Sequence, residues 1–383
     1  MNSAELAGAL LEAVRAQRFE LTADSLLGGR PVEQHPSLDL AVAAFPAEAA
    51  PVFANVLFSR EHPQGLVGDI GPEAGAPRNI AFLADQQDEQ GRSIAWLPGS
   101  DWQRLHWQPL TGTGPQRFVA PYPASLLKLM VLVGVARLMD AHRSGWDWPL
   151  VFQGRERPVG DWAFDMTVVS CNTATSALVL HLHAGGAIRR SEAGEWHNEL
   201  HDLFERFGLA GLRLANTRAD GGWGNAAGAG VGQLQMTAWD SLRLLWLLDP
   251  LAPPPPWLPA GHEPLLGASR EHVLHCLREQ RLHEILSSGA LVGRPGWVPG
   301  LPARLPDGGD GELMFAHKTG NTENYSANAG IVTGIAPARR RYLIALTSNL
   351  GSRYAPDEVC ATTWRIPALG AAIDARLREF LGD

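Results

Sequence analysis

Lysine is nearly absent from this 383-residue chain: among 32 lysines and arginines, only Lys128 and Lys318 are lysine. Arginine serves wherever positive charge alone is needed, but it cannot surrender its proton inside a protein, whereas a buried lysine can. The two lysines are therefore the first candidates for chemistry. Cysteine is scarce too. Cys171, Cys276 and Cys360 are odd in number and far apart, which speaks against a disulfide framework and against any Cys-x-x-Cys pattern. The 13 histidines show no His-Glu-x-x-His or similar ligand spacing, so no metal and no other cofactor is expected. A basic stripe is missing, and a net charge of -8 argues against nucleic acid or an anionic membrane surface as partner. No run reaches the roughly 18 apolar residues of a membrane span, since even the apolar stretch 126–139 contains Lys128 and Arg137. Near the amino terminus Leu6, Leu10, Leu11 and Val14 recur at helical spacing among charges, without the basic start and unbroken apolar core of a secretory signal. With Met1 at its head, the expectation is a cytoplasmic protein, or a periplasmic one if a leader has been removed.

What is present describes a globular protein: 45% hydrophobic and 19% charged residues, in a chain long enough for one large domain or two or three ordinary ones. Residues 1–75 read as an N-terminal helical appendage and linker. A first helix leads to the turn Gly28-Gly29-Arg30-Pro31, a second helical run covers 38–59, and a Gly- and Pro-rich connection follows at 68–77. Short strands then begin, 80–84 and 93–97, as a hairpin with a long loop. Residues 125–286 read as helical throughout, with Pro253 to Pro256 as an extended connector. Strands return at 313–317, 328–333 and 342–348, and an amphipathic helix closes the chain at 368–381. The pattern predicts an α+β fold: a five-stranded antiparallel sheet flanked by helices, assembled from 76–120 and 311–383. An all-helical subdomain, 121–310, is inserted into it, with a cleft at the seam.

Three short elements carry chemistry. Ser125 and Lys128 stand three apart at the start of the apolar run, so a helix beginning there sets a nucleophile beside a possible base. Ser170-Cys171-Asn172 follows, and Lys318-Thr319-Gly320 ends a predicted strand. Each is weak alone; the ordered set, using both lysines, is specific.

With these three elements the sequence resembles the penicillin-recognising serine hydrolases, in particular class A β-lactamases and their D,D-peptidase relatives, over about residues 78–383. The strands before Ser125, the helix opened by Met236-Thr237-Ala238, the helix start Ala268-Ser269-Arg270 and the stretch from Arg281 to Leu286 agree with that likeness. The resemblance implies a β-lactamase/transpeptidase-like fold and a mechanism. Ser125 would form an acyl-enzyme and Lys128 would take its proton. Ser170 would relay a proton to the leaving group and bridge toward Lys318, and Asn172 would bind the acyl side chain of the substrate. Lys318 and Thr319 would meet an anionic group, Gly320 would let substrate lie along the strand, and the N–H groups of Ser125 and Asn321 would form the oxyanion hole. Trp223, Trp239 and Trp297 could line a pocket for an aromatic substrate. Bland readings stand beside these roles: Ser170 or Asn172 as the cap of the helix that follows, Lys318 as a strand-end charge, Cys171 as a small buried hydrophobe where the family usually has Asp, and the three tryptophans as core.

The chain departs from the family between 209 and 236, where β-lactamases carry a glutamate four residues before an asparagine to activate the deacylating water. Asn225 best matches that asparagine, which puts Gly221 in the glutamate's place with Asp220 adjacent. The expected activity is that of a serine hydrolase cleaving an amide, β-lactam or ester of a small substrate bearing a carbonyl and an anionic group. A biosynthetic acyltransferase or a slowly acylating β-lactam-binding protein is the alternative. Oligomeric state is left open.

Overall fold

The computed structural model describes residues 2–89, 93–96, 100–224 and 230–383. Its largest sheet has six antiparallel strands: β1 (Leu38–Ala44), β2 (Val52–Phe58), β3 (Leu66–Val67), β4 (Leu313–Asn321), β5 (Ser326–Gly334) and β6 (Arg341–Ser348), in the spatial order β4-β5-β6-β1-β2-β3. Half of these strands come from the segment expected to be an appendage. The expected second helical run over 38–59 is β1 and β2, and β1 pairs directly with β6, Leu38 opposite Ser348 and Ala44 opposite Tyr342.

The reason lies in burial on both faces. Leu38, Leu40, Val42 and Ala44 pack toward the helices α1 (Ser3–Ala16) and α5 (Arg365–Leu381), while Ala41 and Ala43 pack toward the helical half of the molecule. A strand covered on both sides shows no polar alternation, and its alanines favour helix by propensity. The linear pattern therefore imitates a helix that the sheet overrides.

Two other expectations are corrected. The segment 80–84 is a strand, but it pairs antiparallel with Gln108–Thr111 and parallel with Gln116–Ala120, whereas Ile94–Trp96 forms a 3-10 turn. Leu97 lies outside the described residues. The buried Asp85 explains the turn: its carboxylate collects the hydroxyls of Ser93 and Tyr325 and the backbone N–H groups of Gln86 and Ala95, which pins 93–95 across the strand end. The middle of the chain is not all helical either. Besides α2 (Lys128–Asp140), α3 (Asn172–Ala184) and α4 (Ala238–Leu248), it holds three two-stranded pairs: Pro149–Phe152 with Arg155–Pro158, Ile188–Ser191 with Gly194–Asn198, and Leu212–Leu214 with Leu234–Met236. The first turns on Gln153 and Gly154, both at positive φ, as a tight hairpin requires.

One buried carboxylate couples the two halves. Asp39 on β1 is fully buried, accepts from Asn55 Nδ2 at 2.7 Å and from the Ala238 N–H at 2.8 Å, and so joins the sheet to the first turn of α4. Burial raises its pKa to about 6. Asp39→Ala takes the side-chain acceptor from the buried Ala238 N–H and leaves Asn55 Nδ2 with Leu40 O alone, so the urea midpoint is expected to fall by the equivalent of about 1–3 kcal/mol. An unchanged midpoint would show that this coupling is dispensable.

Candidate active site

Ser125 sits in the 3-10 turn Ala124–Leu127, which runs on into α2. Ala124 at the head of that turn has φ +48, a conformation a non-glycine residue holds only when its surroundings enforce it. The enforcing element is the end of β4. A Cβ added to Gly320 would stand 2.5 Å from Pro123 O and 2.9 Å from Ser125 N, so only glycine lets strand and turn meet this closely.

Lys128 follows one turn later, at 0% exposure. Its Nζ donates to Ser170 O at 2.6 Å and Asn172 Oδ1 at 2.7 Å, and lies 2.9 Å from Ser170 Oγ. From the opposite wall Lys318, also at 0% exposure, reaches the same hydroxyl at 3.0 Å and donates to Thr319 O at 2.8 Å. One serine oxygen thus lies between two buried amines. Burial drives the pKa of Lys128 down to about 7. It drives that of Lys318 down as well, and the nearby Lys128 charge adds to the effect. Desolvation and like charge act in the same direction, so the pair is arranged to hold fewer than two protons near neutrality.

The remaining expected residues fall around this centre. Helix α3 begins at Asn172 with Cys171 in the cap position and no side-chain cap bond. Ser170 and Asn172 therefore serve Lys128 instead of the helix end. Ser170 has φ +56, a second strained non-glycine residue in the site. Thr319 is buried on β4, and Asn321 is exposed at the strand end beyond Gly320. None of the hydrogen bonds of Lys128 among the described residues goes to Ser125; its partners are on the 170–172 segment.

No protein-family model matches the sequence, and no curated protein does. Solved structures do. An engineered variant of the last common ancestor of Gram-negative bacterial class A β-lactamases aligns with TM-score 0.51 and 14% identity, over 97% of this chain and 99% of that one. A single mutant of the same ancestor gives 0.51 and 12%, over 96% and 98%. The chain has the class A β-lactamase fold. A structure of PBP-A aligns at TM-score 0.49 and 15% identity, over 98% of this chain and 97% of that one.

The segment 209–236 is where the sequence lacks a counterpart to the expected glutamate. Asp220 is exposed and its Oδ1 accepts from the Gly222 N–H at 3.0 Å, so its carboxylate is turned into its own loop rather than toward Lys128. Gly221 is backed against Ser176 O, and Asn225 lies outside the described residues. The group that does meet Lys128 is Trp223, with the lysine Nζ 5.6 Å from its ring centroid. The sequence left Trp223 between a pocket wall and the core, with core favoured; it is half-buried against that core and faces the lysine as well. Two further neighbours were missed. Glu284 is half-buried within the field of Lys318, its pKa raised by burial and pulled back in part by that charge. His317, under Lys318, is fully buried with its ring 4.6 Å from that of His283 and its Nδ1 3.0 Å from Asn328 Nδ2. The stretch from Arg281 to Leu286 agrees with the family likeness in the sequence, but nothing in its spacing singles out His283 or Glu284, which the fold brings beside β4.

The buried lysine has a thermodynamic signature. With a folded pKa of about 7 against 10.5 in an unfolded chain, Lys128 holds fewer protons folded than unfolded across that window. Stability must therefore rise with pH between these values on its account. Lys128→Met is expected to remove a slope approaching about 1.4 kcal/mol per pH unit at mid-window from the stability–pH curve of the parent. Parallel curves for parent and variant would contradict the burial-driven shift.

Proposed function

We propose that the protein is a serine hydrolase that works through an acyl-enzyme on Ser125, opening an amide, β-lactam or ester bond of a small substrate. The observation that carries this reading is the buried chain Lys128–Ser170–Lys318 set one helical turn from Ser125. Neutral Lys128 accepts the Ser125 proton as Oγ adds to the carbonyl carbon, a task arginine cannot perform. Ser170, between the two amines, passes a proton on to the leaving group, and Lys318 then restores the proton count. The N–H groups of Ser125 and Asn321, brought near by the close packing of Gly320, hold the oxyanion. Asn172 keeps Lys128 in place with its Oδ1, and its amide nitrogen is available to the acyl side chain. Lys318 with Thr319 recognises an anionic group on the substrate.

One observation favours a second reading, a slowly turning-over acylated protein or an acyltransferase. Among the described residues no carboxylate bonds Lys128, so the hydrolytic half-reaction lacks the usual water-activating group.

The test is intact mass after mixing with a penicillin and, separately, with a small activated ester. A single adduct on Ser125, absent in Ser125→Ala, is expected. Its formation rate should rise with pH through about 7 as Lys128 loses its proton, and Lys128→Arg should slow it by at least ~10³-fold. Neither adduct nor turnover with either compound, and no difference between parent and Ser125→Ala, would overturn the proposal.

A further inference from the structure

Trp223 occupies the flank of Lys128 and is held there from two sides. Its Nε1 donates to Ser176 Oγ at 3.2 Å on α3, and its ring packs against the main core. The turn that delivers it is closed by Arg218 N–H to Gly222 O at 2.8 Å and Gly221 N–H to Arg218 O at 3.0 Å. Gly221 itself has φ +92, and an added Cβ would stand 2.4 Å from Ser176 O. The tight approach of this turn to α3 is what places the indole over the lysine, within the reach of a cation–π contact.

The valences of the amine make this placement consequential. A neutral Lys128 has two N–H groups and one lone pair. Ser170 O and Asn172 Oδ1 are acceptors only and take both N–H groups, which leaves the lone pair for a hydroxyl. Ser170 Oγ already lies at hydrogen-bonding distance. Lys128 takes a proton only through that lone pair, so a water that hydrolysed an ester on Ser125 with its help would have to reach it. Its oxygen must bond to the acyl carbon while the bond to Ser125 Oγ breaks; one of its protons ends on Ser125 Oγ and the other stays on the released acid. Among the described residues, the side chain over this flank of Lys128 is the Trp223 indole, an aromatic face that neither accepts a proton nor orients a water.

We propose that Trp223 is a positioning residue that excludes hydrolytic water from the Lys128 side of the Ser125 acyl-enzyme, so that the indole sets the lifetime of that intermediate. This rests on the acyl-enzyme reading above. It makes the enzyme selective at the second half-reaction, retaining the acyl group until a stronger nucleophile than water arrives, such as an amine, which adds without prior deprotonation: its nitrogen bonds to the acyl carbon as the bond to Ser125 Oγ breaks, and one of its protons ends on Ser125 Oγ.

The experiment compares the parent with Trp223→Ala, Trp223→Leu and Trp223→Phe, each first shown to fold by near-ultraviolet circular dichroism. Each is acylated with the same activated ester, and loss of the adduct after removal of excess reagent is followed by intact mass across pH. Trp223→Ala is expected to shorten the adduct lifetime by roughly tenfold or more, Trp223→Leu to shorten it less, and Trp223→Phe to preserve it. The pH limb of acylation should move upward in Trp223→Ala, because the amine gains solvent, a change that a purely structural role would not produce. Equal lifetimes in the parent and both aliphatic variants would overturn the inference while leaving the acyl-enzyme standing. Failure of the parent to form any adduct would overturn both.

Discussion

Two buried amines cannot both keep their protons beside one hydroxyl. Lys128 and Lys318 lie at 2.9 and 3.0 Å from Ser170 Oγ, neither has any exposed surface, and no carboxylate bonds either one among the described residues. Water would solvate two ammonium groups; the interior does not, and each makes the other harder to charge. That electrostatic conflict explains why the two positions are lysine in a chain that otherwise uses arginine. In the proposed mechanism the same conflict makes an amine available as a base near neutral pH.

Holding such a cluster takes a rigid frame. The six-stranded sheet supplies it, because β1 and β6 sit at its centre and are packed on both faces, by α1 and α5 on one side and by the helical half on the other. The end of β4 presses Gly320 against the turn that carries Ser125, and Asp39 ties the sheet to α4. Strain at Ala124 and Ser170 costs of order 1–3 kcal/mol each by the usual measure of such backbone conformations. Both residues belong to the segments that carry Ser125 and the shared Ser170 hydroxyl, so the strain is concentrated around the two lysines.

How much of this was legible in the sequence depended on whether the signal was local. Ser125 and Lys128 share a helical turn, and Ser170 and Asn172 a single loop, so their spacing survives in the linear chain. The strands at 313–348 and the closing helix kept their periods. By contrast β1 and β2 were read as helix because burial on both faces erased their alternation. The partner of the 80–84 strand was misplaced because the pairing is decided by Asp85, Ser93 and Tyr325, far apart in the chain. Glu284 was not singled out and Trp223 was weighed as a pocket residue but read as core for the same cause: a glutamate before a strand and a tryptophan in a Gly-rich turn carry no spacing rule, and only the folded chain brings them to the lysines.

The scarcity of lysine allows the central claim to be tested directly. Uniform 13C/15N-lysine labelling yields two side-chain signals, assigned by Lys128→Met, and their chemical shifts can be followed across pH in the free protein. The account predicts that both titrate below the ordinary lysine value of 10.5, Lys128 near 7. Two lysines titrating together at 10.5 would contradict it, since neither could then act as a base beside Ser125 at neutral pH.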